Sequence, residues 1–269
     1  MLPVRFDVVQ GKRVRYFRDG EGPAVIFLHG YPDNLQMWSG VAPLLGGFER
    51  IAFDWPGMGG SEAWVGGATP FHMADRLIAL LDHWRIDRSA LVAIDMGGQP
   101  AVVAAAQHPS RISHLVVSGS LLQWDAPTSF DIRMLRKFRF NEFFLKHFPS
   151  AVFRRAVSSS IPKLDDDVRE DFWQSFRRRD VRDFIVRMCA GYQGTLAKLP
   201  DHVTVPALCL WGEKDRHFPP IHAQRLRGAT VTIIEGGEHW LPLQKPQEFA
   251  DHVRIVLSSP SRSSAEAKK

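Results

Sequence analysis

A single carboxylate stands at the sharpest turn that the sequence predicts. In the stretch LVAIDMGGQP, residues 91–100, an apolar run ends at Asp95 and a helix-like run follows. Small residues, Ala93 and Gly97, lie two positions before and after it, which lets a strand and a helix approach closely. This pattern is typical of a nucleophile elbow, which exposes the side chain and places the Met96 N–H where it can stabilise negative charge. The alternative interpretation is an aspartate that only caps the helix.

Three further groups could act together with Asp95. The HGYP motif follows the first buried strand, where a second oxyanion-hole donor is needed, and the Tyr31 N–H would be that donor. Asp215 follows a later buried strand, and His239 follows the last one. Nucleophile, acid and histidine then occur in one of the known chain orders of a catalytic triad. Asp125, which also follows a predicted strand, is an alternative acid.

The residue type at the turn decides which reaction these groups would perform. A carboxylate needs no deprotonation, so Asp95 could displace a leaving group at a saturated carbon and form an alkyl ester. His239, held by Asp215, would activate a water that attacks the ester, while the N–H groups of Tyr31 and Met96 receive the developing charge. The scheme requires no metal and no organic cofactor, and no set of His, Cys and carboxylate residues has the spacing of a zinc site.

The elements that must position these groups alternate along the chain. Short apolar runs, expected of buried parallel strands, alternate with segments of helical periodicity. We therefore predict an α/β fold with a mostly parallel central sheet and helices on both faces, with the candidate groups after the strands, where such sheets bind ligands. The apolar runs are 24–30, 50–54, 89–95, 114–119, 207–212 and 230–236, and the helical segments are 71–84, 97–107, 220–227 and 246–257.

The segment 122–200 interrupts this alternation. It is too long for a loop in a compact domain, and it is rich in Phe, Arg and Trp at helical spacing. We interpret it as an inserted helical cap, which makes residues 1–121 and 201–257 the two parts of one α/β core. The small, polar residues 258–269 predict a disordered tail.

Taken together, these motifs resemble the α/β-hydrolase superfamily. HGYP, DWPGMGGS, AIDMGG, GEKD and GGEHW match its pattern over nearly the whole chain outside the cap and the tail. An aspartate at the elbow is similar to the branch that contains epoxide hydrolases, haloalkane dehalogenases and haloacetate dehalogenases. That resemblance implies hydrolysis through an ester on the enzyme.

The sequence departs from each of these relatives where the leaving group would bind. Met96 stands where haloalkane dehalogenases carry Trp, and Met96 and Gln99 stand where haloacetate dehalogenases carry arginines. Epoxide hydrolases use two cap tyrosines to protonate the opening ring, and only Tyr192 lies in the predicted cap. The departures favour an epoxide substrate with Tyr192 as a catalytic proton donor. A dehalogenase, an elimination or cyclisation enzyme, and a binding protein on the same scaffold remain alternatives.

Substrate contacts are less strongly indicated by the sequence. His29 follows the first buried strand, and His147 and Trp173 lie in the predicted cap as candidates for a second donor. We interpret all three as candidate substrate-binding residues. Aromatic side chains at the start of the cap suggest an apolar pocket wall, although ordinary helix packing also explains them; they are Phe130, Phe138, Phe140, Phe143, Phe144 and Phe148.

The amino-acid composition and the charge of the chain limit which classes of partner the protein is expected to bind. The net charge of +5 arises within residues 122–200, which fits a solvated helical surface or a basic surface that attracts anions. The sequence shows no usual nucleic-acid motif, no apolar run of membrane-spanning length and no signal peptide, and Cys189 and Cys209 have the apolar surroundings of reduced, buried thiols. We expect a cytoplasmic protein that acts on a small apolar organic molecule without nucleic-acid or membrane partners. The oligomeric state is open, and a homodimer is one candidate.

Overall fold

One mixed sheet forms the centre of the computed structural model, which describes residues 1–135, 137–158, 164–192 and 194–260. Within these ranges eight strands lie in the order β1-β2-β4-β3-β5-β6-β7-β8. Neighbouring strands are parallel from β4 to β8, while β2 pairs antiparallel with both β1 and β4. The strands are β1 Arg5–Val9, β2 Lys12–Asp19, β3 Ala24–Leu28, β4 Glu49–Phe53, β5 Ser89–Ile94, β6 Ile112–Ser118, β7 His202–Gly212 and β8 Arg227–Ile234.

The burial of each strand follows from its sequence. The central strands β3 and β5, AVIFL and SALVAI, are buried at every position, as expected where both faces of a parallel sheet are covered. The strand β2 nearer the sheet edge mixes buried and exposed positions, as expected of an antiparallel strand with one solvated face. The mostly parallel α/β architecture predicted from the apolar runs is confirmed.

Helices follow the strands much as the sequence predicts. The segments 71–84, 97–107 and 246–257 correspond to α1, α2 and α9, and α2 and α9 both contact β6 and β7. The segment 220–227 forms a short 3-10 helix, Pro220–Arg225, instead of an α-helix. The described helices are α1 Pro70–His83, α2 Gly98–Gln107, α3 Phe130–Leu135, α4 Phe138–His147, α5 Pro149–Ser158, α6 Asp166–Phe176, α7 Arg179–Tyr192, α8 Leu241–Gln244 and α9 Pro246–Leu257.

The last two strands differ from the sequence prediction at their starts. β7 begins at His202, five residues before the apolar run, and its register against β8 shifts between His202 and Ala207. Pro206 lies within that interval and has no N–H to donate to the ladder, which accounts for the interruption. The apolar run therefore marks only the buried part of β7. β8 begins at Arg227, three residues before its apolar run, and only Ile234 in it is buried, so the prediction of a buried strand is wrong for β8, which lies at the edge of the sheet.

Helices α3 to α7, which we call the helical insertion, lie between β6 and β7 and fall within the segment predicted as a cap. The limits of that domain stay a prediction. Helix α9 ends at Leu257, one residue before the predicted tail begins. Of that tail, 258–269, only residues 258–260 are among the described residues. No helix among the described residues is long and apolar enough to cross a membrane.

Candidate active site

The turn after β5 holds Asp95 in a strained conformation. The strand ends at Ile94, Asp95 has φ of +50°, and a 3-10 turn leads into α2. A positive φ is uncommon for a residue with a side chain and is found where surrounding contacts impose it. A Cβ on Gly97 would lie 2.5 Å from the His29 carbonyl oxygen, and one on Gly30 would lie 2.5 Å from the Asp95 Cβ. Both positions therefore require glycine, and the turn has the close strand–helix approach of an elbow.

Two backbone N–H groups already contact the Asp95 carboxylate. The Tyr31 N–H donates to Asp95 Oδ2 at 2.7 Å. The Met96 N–H also hydrogen-bonds to this carboxylate. These are the two groups that the sequence predicts as an oxyanion hole, and the structure brings both to one carboxylate.

His239 and Asp215 form a buried pair next to this turn. The Nδ1 of His239 lies 3.0 Å from Asp215 Oδ2, and both side chains are almost fully shielded from solvent. The other oxygen of Asp215 accepts the N–H groups of His217 and Phe218, each at 2.9 Å, so the carboxylate is fixed at both ends. Asp125, the alternative acid, is exposed, and the structure brings Asp215 to the histidine instead.

Burial sets the acidity of Asp95. The cost of burying its charge raises the pKa of Asp95 to about 6, and the nearby carboxyl of Asp33 adds to the rise. His239 and the N–H groups of Tyr31 and Met96 act in the opposite direction, because they stabilise the carboxylate. Asp95 is therefore ionised at neutral pH and takes up a proton in mildly acidic solution.

The pKa of His239 moves upward despite its burial. Burial alone would lower this pKa, but the three carboxyl groups of Asp215, Asp95 and Asp33 outweigh that cost. The imidazolium form is therefore stabilised, mainly by Asp215 and in part by the negative charge of Asp95.

Asp33 is the part of this electrostatic arrangement that sequence analysis missed. It is fully buried, and its Oδ1 lies 3.2 Å from the Nδ1 of His29. The Trp55 N–H donates to the Nε2 of His29, so that nitrogen carries no proton and Nδ1 can donate to Asp33. Only its place four residues after His29, in the loop after β3, could have signalled this carboxyl group.

A cavity of about 370 Å³ opens over Asp95 between the core and the helical insertion. Its wall is mostly apolar and combines residues from both parts of the chain. Tyr192, which the sequence predicts as a proton donor, lines the cavity, and its hydroxyl donates a hydrogen bond to Gln99 Oε1 at 3.1 Å. Phe130, Phe140 and Phe144 line the wall and Phe143 and Phe148 do not, while the side chain of Phe138 lies outside the described residues.

None of the three residues predicted to bind substrate lines this cavity. His29 is fully buried, and both of its ring nitrogens contact groups in the loops of the core. Trp173 packs against Phe153 and Phe176 inside the insertion, and His147 stacks on Phe143. Helical periodicity places such residues on a helix, but it does not tell which side faces the core.

His217 lines the cavity instead, and sequence analysis missed it. Its ring lies 4.9 Å from that of His239, and its Nδ1 lies 3.2 Å from Ser129 Oγ. Burial and then the neighbouring His239 lower the pKa of His217 to about 4, against the opposing effect of nearby carboxylates. The ring is therefore neutral at physiological pH. No three His, Cys, Asp or Glu side chains are grouped as a metal site in the described ranges.

Comparisons with known proteins show the family and several activities within it. The model of the α/β hydrolase fold family matches residues 23–246. The acetyltransferase component of the acetoin cleaving system of Cupriavidus necator is 27% identical over 261 residues, which cover 91% of this chain but only 66% of that protein, just under two thirds. A fluoroacetate dehalogenase of Burkholderia sp is 36% identical over 104 residues, 36% of this chain and 34% of the dehalogenase.

Among solved structures, the epoxide hydrolase CorEH superposes with a TM-score of 0.80 at 19% identity, covering 95% of this chain and 99% of its own. An identity this low shows a shared fold and does not transfer an activity.

Proposed function

This chain belongs to the α/β hydrolase fold family, and we propose that it hydrolyses epoxides through an ester on Asp95, without a metal or an organic cofactor. The observation that carries the proposal is the elbow carboxylate itself. It is buried, ionisable near neutral pH, held by the N–H groups of Tyr31 and Met96, and close to the His239–Asp215 pair. The roles of all these residues are part of the proposal.

The first half of the reaction forms the ester. An Asp95 oxygen attacks a ring carbon of the epoxide, the carbon–oxygen bond of the ring breaks, and the electron pair goes to the ring oxygen. That oxygen then needs a proton, and the hydroxyl of Tyr192 lies in the cavity as a donor. In this scheme the helical insertion serves as a cap that excludes bulk water and supplies the proton.

The second half hydrolyses the ester, and the charge balance of the site favours it. Forming the ester removes the negative charge of Asp95, which is one of the groups that hold the pKa of His239 up. The imidazole therefore releases its proton more readily at the ester stage, when a base is needed. It takes a proton from water, the hydroxide adds to the carbonyl carbon of Asp95, and the N–H groups of Tyr31 and Met96 stabilise the oxyanion.

The lining of the cavity supports an epoxide over a halide or a halogenated acid. Met96 has no side-chain N–H to bind a halide, and Gln99 is engaged with Tyr192 and the Leu121 carbonyl oxygen. Arg155 also lines the cavity, but its guanidinium is paired with Asp131 at 2.6 Å. A substrate that keeps its leaving oxygen attached and needs a proton, as an epoxide does, fits these groups best.

A dehalogenase is the second candidate. The local similarity to a fluoroacetate dehalogenase favours it, and so does Trp240, whose indole lines the cavity beside His239. An indole N–H is a donor that a departing halide can use.

A substrate panel with one matched variant separates these functions. The protein would be given aliphatic and aromatic epoxides, chloroalkanes and fluoroacetate, and both diol and halide would be measured. We expect diol from an epoxide and no product from Asp95→Asn, which has nearly the same shape but no nucleophilic oxygen of comparable strength. Halide release without epoxide turnover would assign the dehalogenase function instead.

A further inference from the structure

Four phenylalanines of the helical insertion form an aromatic stripe that is exposed to solvent. They are spaced three and four residues apart, so their rings lie on one side of α4 and of the residue that follows it. Between 36% and 51% of each residue is exposed, and neighbouring ring centroids lie 4.6 to 6.0 Å apart. The aromatic stripe consists of Phe140, Phe143, Phe144 and Phe148. A contiguous apolar surface of this kind marks a binding site for a partner or a membrane.

The aromatic stripe is continuous with the substrate cavity. Phe140 and Phe144 line the cavity, whereas Phe143 and Phe148 are exposed without lining it. The stripe therefore begins at the cavity and continues onto the outer surface of the insertion. Arg155 also lines the cavity, and 66% of its side chain is exposed, which indicates that the cavity opens on this side of the molecule.

The same segment carries the positive charge of the chain. Residues 130–155, which we call the basic segment, contain seven Lys and Arg but only two Asp and Glu, so they account for the whole net charge of +5. Among its described residues only Arg155 takes part in an ion pair, with Asp131. Five other basic side chains of the segment are exposed; they are Arg133, Lys137, Arg139, Lys146 and Arg154.

This charge favours a membrane over a second copy of the chain as the partner of the stripe. A twofold interface brings the same surface of both subunits together, so two basic segments would repel each other. Exposed aromatic rings beside Lys and Arg match a bilayer surface instead, because the rings enter the boundary of the acyl chains while the basic groups attract anionic headgroups.

We propose that the aromatic stripe and the basic segment bind the surface of a bilayer that contains anionic phospholipid, with the cavity opening toward the membrane. An apolar substrate dissolved in the bilayer then reaches Asp95 without passing through bulk water. This proposal goes beyond the proposed function, and it departs from the expectation that the protein has no membrane partner. That expectation rested on the lack of an apolar run of spanning length, which binding at the surface does not require.

Binding to vesicles tests the proposal directly. The full-length protein would be sedimented with vesicles of phosphatidylcholine alone, or of phosphatidylcholine and phosphatidylglycerol at about two to one. We expect binding to the mixed vesicles, much weaker binding to phosphatidylcholine alone, and a loss of binding as salt is added, because salt screens the attraction. A protein that stays in solution with the mixed vesicles at low salt would contradict the proposal.

Variants on the outer part of the stripe separate its rings from its charge. Phe143→Ser combined with Phe148→Ser should lower the partition coefficient for the mixed vesicles by about 10-fold, since less apolar surface enters the bilayer. Phe6→Ser removes a phenylalanine of similar exposure, 54%, from β1 and should leave binding unchanged. Equal losses in the two cases would mean that the stripe is not the binding surface.

The charge has its own matched pair of variants. Lys146→Gln should lower the partition coefficient by about 5-fold, the effect of one basic residue near an anionic surface. Lys198→Gln removes the same charge from an exposed lysine outside the basic segment and should leave binding unchanged. If both variants lose binding equally, the basic segment has no special part in it and the proposal is wrong.

A fluorescent label reports which surface meets the lipid. Because Cys189 and Cys209 are both buried, a cysteine introduced by Phe148→Cys can be labelled selectively with an environment-sensitive dye. We expect its emission to shift to the blue when mixed vesicles are added, and no shift for a label at Phe6→Cys. Vesicle binding without a shift at position 148 would show that another surface is used.

Two further measurements address the competing partners. If the protein is a dimer in solution without lipid and the double variant Phe143→Ser, Phe148→Ser is a monomer, the stripe joins two copies and the proposal is wrong. Binding of a single-stranded oligonucleotide in place of the mixed vesicles would contradict it as well. None of these assays requires turnover, so a failure here leaves the proposed function standing, and a lack of epoxide turnover would leave membrane binding standing.

Discussion

At the scale of single residues, Asp95 combines two properties that normally exclude each other. A nucleophile needs negative charge, and burial opposes that charge. The carboxylate is stabilised by His239 and by the N–H groups of Tyr31 and Met96, which offset part of the free-energy cost of burying its charge. The pKa of Asp95 is therefore about 6. A carboxylate with few other hydrogen bonds and little solvent around it is a better nucleophile than a hydrated one.

The acid limb of the pH profile should report this group. Ester formation requires the ionised carboxylate, so its rate should be constant at neutral pH and fall as the pH decreases through about 6. The measurement is the pH dependence of kcat/KM, which reflects the free enzyme. A limb near pH 4, where an ordinary aspartate titrates, would contradict the buried environment of Asp95.

Asp33 offers a test of the cause of that shift. Its carboxyl group helps to raise the pKa of Asp95, so Asp33→Asn should move the acid limb to lower pH. The amide oxygen of asparagine can still accept the hydrogen bond from His29, which keeps the loop in place. A limb that stays where it is in the wild-type profile, or one that moves to higher pH, would show that Asp33 does not act on Asp95 through its charge.

At the scale of elements, the carboxyl ends of the parallel strands determine where the site lies. The positions of Asp95, Asp215 and His239 could be predicted because each lies in the turn or loop after an apolar run, and the parallel strands that contain these runs end at the same edge of the sheet. Asp33 and His217 could not be predicted in this way. Their roles depend on contacts between loops that are distant in sequence, which no local pattern encodes.

The helical insertion lies within the segment predicted as a cap, but the contacts of its helices could not be predicted. Its length and its helical spacing are properties of the local sequence. Which helix face meets the core depends on packing against another part of the chain, so Tyr192 reaches the cavity while His147 and Trp173 do not. The start of β7 was missed for a similar reason, because its first residues are only partly buried and carry no continuous apolar run.

Gly119 directly follows β6, and the site requires both its backbone conformation and its lack of a side chain. Its φ is +46°, and a Cβ there would lie 2.9 Å from His239 Nδ1 and 3.0 Å from Asp215 Oδ2. Gly119→Ala should therefore displace this pair and lower kcat by roughly 10-fold or more, since small misplacements of catalytic groups are costly. The matched control is Gly11→Ala, which has φ of +73° and nothing within 4 Å of the added Cβ.

Both alanine variants should lose roughly 1–2 kcal/mol of stability from the left-handed backbone alone. Only Gly119→Ala should lose activity in steady-state assays of the folded protein. Equal activity in the two variants would mean that the His239–Asp215 pair tolerates displacement, which would contradict the requirement for glycine at position 119.

At the scale of the whole molecule, a polar cluster joins the helical insertion to the core. The guanidinium of Arg15 in β2 donates two hydrogen bonds to the Asp171 carboxylate in α6, at 2.8 and 3.0 Å. The Asn34 side chain donates to the same carboxylate at 2.7 Å and to Ser175 at 2.9 Å. Helix α6 also carries Phe176, which packs on Tyr31, so this cluster connects the fold of the insertion to the geometry of the site.

Removing the carboxylate should loosen this connection. Asp171→Ala leaves Arg15 mostly buried with only Asp54 at 3.4 Å, and should lower the free energy of unfolding by roughly 1–3 kcal/mol and raise KM. Asp166→Ala on the same helix removes an exposed ion pair with Arg169 and a negative charge in the first turn of α6, so it should lower the free energy of unfolding by less than about 1 kcal/mol and leave KM unchanged. Chemical denaturation and steady-state kinetics measure the two effects, and equal behaviour of the two variants would show that the cluster does not hold the insertion.

The most direct test of the central claim follows the oxygen of water. The protein, in excess over an epoxide, would react once in ¹⁸O-labelled water, and the peptide that contains Asp95 would be analysed by mass spectrometry beside the diol. The ester mechanism predicts label in Asp95 and none in the first-turnover diol, because the diol takes its new oxygen from the carboxylate and water replaces it. Protein kept in labelled water without epoxide should stay unlabelled. A labelled diol alongside an unlabelled Asp95 would mean that water attacks the substrate directly, and would contradict the ester mechanism.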